Sequence, residues 1–140
     1  NVSVKLTIIT NKLENIKKIL SENNYTNIQL FFVKWVFGIE QKEVIKSDIV
    51  ILPYPDDVAR KVKSSNRIID SLNLGRCVLM SDVNQFNEFR DFCYFGDISE
   101  GIKLILKNKH VAIEKTLKGQ KYVLKNYNLD VVAKKWELLI

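Results

Sequence analysis

Apolar residues along this chain come in short runs separated by amphipathic stretches, and the alternation persists through most of its length. Val2 to Thr10 is β-branched and reads as a strand. Leu13, Ile16, Ile19 and Leu20 then recur at helical spacing, closed by the turn residues Asn23-Asn24. Ile28-Gln29-Leu30-Phe31-Phe32-Val33 reads as a second strand within 27–35. A short helix is predicted over 40–46, with Val44 and Ile45 facing inward. Residues 48–52 form a continuous apolar run, the kind buried on both faces of a parallel sheet. A helix over 64–74, a strand over 77–80, a helix over 84–90 and a short strand over 93–95 continue the series. After Ser99 the pattern is helical to the end. Ile98, Ile102, Ile105 and Leu106 mark one stripe, and Ile113, Leu117 and Leu124 another. Asn128 reads as the N-cap of a last helix carrying Leu129, Val132, Ala133, Trp136, Leu139 and Ile140.

Repeated βα alternation predicts the α/β class, with a Rossmann-like parallel sheet and helices on both faces. A length of 140 residues suits one domain, 1–140, ending in C-terminal helices. No apolar run approaches the roughly 20 residues that a membrane-crossing helix needs, and no signal peptide is visible. A cytoplasmic protein is the expectation. Cys77 and Cys93 sit singly in apolar, strand-like surroundings, which favours buried thiols over a disulfide. The net charge of +6 comes from lysines spread along the helices. There is no known nucleic-acid module and no basic patch interleaved with aromatics, so nucleic acid is not an expected partner. Association with a membrane surface stays open, which would place the protein at the inner face of the plasma membrane.

The most informative chemistry lies between Lys63 and Val78. Lys63, Ser64, Ser65 and Asn66 bring a cation, two hydroxyls and an amide to the start of a helix, where unpaired N–H groups favour an anion. Arg67 follows Lys63 by four residues and Asp70 follows Arg67 by three, which stacks all three on one helix face. From Ser65 to Asp70 the helix rises roughly 7–8 Å. That is close to the reach of a nucleoside diphosphate from its terminal phosphate to its ribose hydroxyls. The helix then stops at Gly75, before an apolar strand.

These residues resemble a motif of GT-B-type glycosyltransferases. In their C-terminal domains a strand like Asp48-Ile49-Val50-Ile51-Leu52-Pro53 precedes a Ser-x-Asn-Lys/Arg helix with a later carboxylate and a glycine before the next strand. Ser64-Ser65-Asn66-Arg67, Asp70, Gly75 and Val78 stand here at matching spacing. The resemblance implies that Lys63, Ser64, Ser65, Asn66 and Arg67 hold the donor diphosphate and that Asp70 accepts hydrogen bonds from the ribose. Of the two glutamates that many retaining members carry, Asp70 takes the second position and Val62 the first. The donor-sugar contact usually assigned to the first carboxylate therefore has no counterpart. By the same resemblance, the backbone around Trp35 and Val36 faces the base. From the residues alone, core or interdomain packing of Trp35 and Phe37 is the favoured reading.

The resemblance further implies the donor-binding half of an enzyme of polysaccharide biosynthesis. It would move a sugar from a nucleotide-sugar donor to a saccharide or lipid-linked acceptor. Residue 1 aligns best with the family's second strand. The expectation is therefore a partial domain lacking its first βα unit, working with an N-terminal acceptor domain of the same enzyme and inactive alone. Two alternatives stay open: a GT-B-fold nucleotide-sugar epimerase, and a non-catalytic α/β binding or receiver-like module. For the receiver, Asp48 opens its strand rather than ending it. No cofactor and no metal are expected. Asp56-Asp57 reads as a loop or helix cap rather than a metal pair, and His110, the single histidine, as a surface residue. The catalytic residues are not identifiable from the sequence.

Overall fold

The computed structural model describes residues 3–22, 25–54 and 64–138. By internal contacts the chain divides into two compact units, 1–43 and 44–140. The first is a βαβ unit. Strand β1 (Val4–Thr10) pairs in parallel with β2 (Ile28–Lys34), with Leu6 opposite Leu30 and Ile8 opposite Phe32. Helix α1 (Leu13–Ser21) makes the crossover. Leu13, Ile16 and Leu20 are half-buried, whereas Ile19, expected on the same face, is exposed. No described residue of this unit is fully buried. Helix α2 (Ile39–Val44) runs up to the boundary between the units. It is shorter than the predicted segment, and Ile45, expected to face inward, is exposed.

The second unit holds the core. Strands β3 (Ile49–Leu52), β4 (Cys77–Met80) and β5 (Tyr94–Phe95) form a parallel sheet in the order β3-β4-β5. All four residues of β4 are buried, as its unbroken apolar run requires of a strand covered on both faces. Parallel partners share a face, so Cys77 and Leu79 point one way, and Val78 and Met80 the other. On the Val78–Met80 side lie Ile68 and Leu72 of helix α3 (Asn66–Asn73) with Phe86, Phe89 and Cys93. On the Cys77–Leu79 side lie Ile105 of α4 (Ile98–Lys107) and Ala112 of α5 (Lys109–Asn126). Helix α5 also contributes Val123 to the opposite layer. It does so by passing the turn between α3 and β4, where Gln120 Nε2 donates to Asn73 O at 2.9 Å. A final helix, α6 (Leu129–Glu137), follows.

The α/β class and the parallel pairing are as the alternation predicts, but the described strands pair in two small sheets rather than one. Several local signals hold. Asn128 Oδ1 accepts from Val131 N at 2.9 Å and so caps α6. Gly75, at φ +67°, ends α3 in a Schellman arrangement, with Arg76 N bonded to Ser71 O and Gly75 N to Leu72 O, both at 2.9 Å. Residues 84–89, expected to be α-helical, form a 3₁₀ segment broken at Phe86. On α5 the inward residues are Ala112, Thr116, Gly119 and Val123, not Ile113, Leu117 and Leu124. The small residues allow close approach to neighbouring elements. Trp136 is exposed.

Candidate functional site

Helix α3 begins with Ser65 in the N-cap position. The Ser65 side chain makes no capping bond, although Ser65 O accepts from Ile68 N at 2.9 Å and Ile69 N at 3.0 Å. The hydroxyl is therefore not committed to the cap. Ser64, Asn66, Arg67 and Asp70 are exposed, and Ser65 is half-buried. Arg67 stands in the first turn, and Asp70 lies three residues on, on the same flank. Burial of Ile68 and Leu72 on the inner side fixes which way that flank faces. Lys63, Asp56 and Asp57 lie outside the described residues.

The carboxyl ends of β3 and β4 add groups that the sequence did not mark. Tyr54, two residues past β3, donates its backbone N–H to Ser81 Oγ, just past β4, at 3.0 Å. Ser81 N in turn reaches back to Leu52 O at 3.4 Å, and Gly96 N donates to Met80 O at 3.0 Å. The Tyr54 ring packs against Phe86, with centroids 5.2 Å apart. Burial pushes the Tyr54 phenol up, and the neighbouring Arg67 guanidinium pulls it partly back. Arg67 thus belongs to the same local environment as a phenol at the end of β3. Next along the sheet end, Asp82 pairs with Arg90. Arg90 also donates to Asn87 Oδ1 at 2.8 Å and lies 4.8 Å over the Phe95 ring, so its fork is already engaged.

Trp35 and Val36 follow β2 in the first unit. Trp35 N donates to Thr10 O at 3.2 Å, which extends the ladder, and both side chains are exposed. Phe37 is 97% exposed, which removes it from any core role in the described unit. Beside the carboxyl ends of β1 and β2 is an open hollow of about 460 Å³ whose lining includes Asn11, Lys12, Asn15 and Lys34. His110 is exposed, as expected. Among the described residues no group of three or more His, Cys, Asp or Glu side chains could hold a metal ion. Among them, too, no helix is long and apolar enough to cross a membrane.

The arrangement around α3 offers a cation, an uncommitted hydroxyl and a helix N-terminus beside a strand end, with a carboxylate one turn further on. An anion with a hydrogen-bonding extension is the ligand chemistry that such a set suits. No family model and no curated protein matches the chain.

Proposed function

We propose that this chain is the donor-binding half of a glycosyltransferase. It would act on a nucleotide-sugar donor and a saccharide or lipid-linked acceptor. The observation carrying the reading is the place of Arg67, exposed in the first turn of α3 with Asp70 on the same flank, where its charge acts on the Tyr54 phenol past the carboxyl end of β3. In this reading Lys63, Ser64, Ser65, Asn66 and Arg67 receive the diphosphate and Asp70 the ribose. Charge on the departing nucleoside diphosphate would be stabilised by Arg67 and the α3 N–H groups, with Lys63 adding a second cation in this reading. In this reading the acceptor is held by an N-terminal domain of the same enzyme.

The finer fold reading is Rossmann-like. Its support is that both sheets are purely parallel, that a helix links β1 to β2 and another enters β4, and that helices cover both faces of β4.

Calorimetric titration of UDP and GDP into the intact protein tests the assignment. Lys63→Ala and Arg67→Ala should each weaken binding by about 1.5–3 kcal/mol, the range for hydrogen bonds to charged groups. Nucleotide affinity unchanged in both variants would remove the assignment.

A further inference from the structure

We propose that the exposed flank of α5 docks this protein on an anionic lipid bilayer surface. Ile113, Leu117 and Leu124 recur at spacings of four and seven, so they form one stripe along the helix. They are 60%, 49% and 53% exposed, while Ala112, Thr116, Gly119 and Val123 face the core. Among the described residues the apolar stripe thus stays about half exposed, although α5 is well anchored on its other side.

Charge decides what covers it. Lys118, Lys121 and Lys125, all exposed, form a second stripe about a quarter turn round the helix from the first. Glu114 is the one acidic residue on α5. From Lys107 to Glu137 the chain carries eight lysines against three acidic residues, so five of the six net positive charges lie in this segment. A second copy of the same surface would bring lysine ridge against lysine ridge, and repulsion disfavours it. An apolar stripe bordered by lysines is the composition of helices that lie in a membrane interface. The aliphatic side chains enter the acyl boundary, and the lysines extend to the phosphates of anionic headgroups. Trp136, 64% exposed on α6, belongs to the same basic segment and supplies an interfacial aromatic.

Co-sedimentation of the 140-residue chain with vesicles tests the proposal. It should pellet with phosphatidylcholine vesicles containing phosphatidylglycerol, stay in the supernatant with phosphatidylcholine alone, and be released by high salt. Replacing Lys118, Lys121 and Lys125 by glutamine should lower partitioning about a hundredfold, at about fivefold per lysine. The triple variant Ile113→Ser, Leu117→Ser, Leu124→Ser should lower it at least about tenfold. Far-UV circular dichroism verifies that both variants, altered only at exposed positions, stay folded. In a Trp35→Phe background, Trp136 emission should shift to the blue on anionic vesicles. No pelleting on anionic vesicles would overturn the proposal. So would a serine variant that binds like the parent, since adsorption would then be purely electrostatic. Loss of self-association in the serine variant, with no vesicle binding by the parent, would assign the stripe to a second copy instead.

Discussion

Gly119 of α5 sits against Leu72 of α3 so closely that a β-carbon on Gly119 would fall 2.9 Å from Leu72 Cδ2, and 2.8 Å from the Phe92 β-carbon. Leu72 is fully buried, and the Phe92 β-carbon is tied directly to its backbone, so neither can retreat cheaply. This contact locks α5 onto the layer that also positions α3.

Gly119→Ala should therefore destabilise the protein, although alanine is the better helix former. The propensity gain is about 1 kcal/mol. Overpacking a tight contact costs about 1–3 kcal/mol, and here one obstructing atom cannot rotate away. A net loss of up to about 2 kcal/mol follows from those two figures, read as a lower urea midpoint with an unchanged slope. A stabilised Gly119→Ala protein would show that the two helices separate freely.

That contact also explains where the sequence was legible and where it was not. Strand β4 and the ends marked by Gly75 and Asn128 are local matters, set by an apolar run, a positive φ and a side-chain cap, and all three were readable. The inner face of α5 was not. Hydropathy points to Ile113, Leu117 and Leu124, but close approach to Leu72 and Phe92 leaves no room for a side chain at Gly119, and Ala112 packs on the other face of the sheet with Cys77, Leu79 and Ile105. Among the candidate ligands, Arg67 and Asp70 were legible from helical spacing. Tyr54 and Ser81 were not, because their link depends on two strand ends, 27 residues apart in sequence, becoming neighbours. The pairing of strands into two sheets is likewise tertiary information that no local window carries.

The thiols of Cys77 and Cys93 should stay reduced and slow to react. Val78 and Cys93 share one face of the sheet while Cys77 points to the other, so the two sulfurs cannot bond without breaking β4. Burial raises both thiols, Cys93 to about 12. A thiol raised in the folded state keeps its proton after the unfolded chain has lost it. Its contribution is thus fully present below the unfolded value near 9 and is lost as pH rises from there to about 12. Stability should accordingly fall across that window, and Cys93→Ala should flatten the slope even though it costs packing at neutral pH. Titration with a chromogenic disulfide reagent should find no fast thiol in the native protein and two after denaturation. One fast native thiol would place a cysteine at the surface.

Asp70→Asn should separate ribose recognition from diphosphate recognition. The carboxylate accepts from both vicinal hydroxyls in the proposed complex, whereas an amide offers one acceptor oxygen and a misplaced donor. Loss of a hydrogen bond to a charged group is worth about 1.5–3 kcal/mol. UDP affinity should therefore drop about tenfold or more, while 2′-deoxy-UDP, already short of a hydroxyl, should lose less. Arg67→Ala should weaken both ligands by the same factor, because its partner is the phosphate they share. The contrast matters because Asp70 and Arg67 lie three apart on α3, and their mutual attraction on an exposed helix face is worth only about 0.2–0.5 kcal/mol. Breaking that attraction cannot imitate a tenfold, ligand-selective effect. Calorimetry on the two variants with both nucleotides gives four affinities. Equal losses for UDP and the deoxy analogue in Asp70→Asn would take the ribose away from Asp70 and leave α3 with a phosphate role alone.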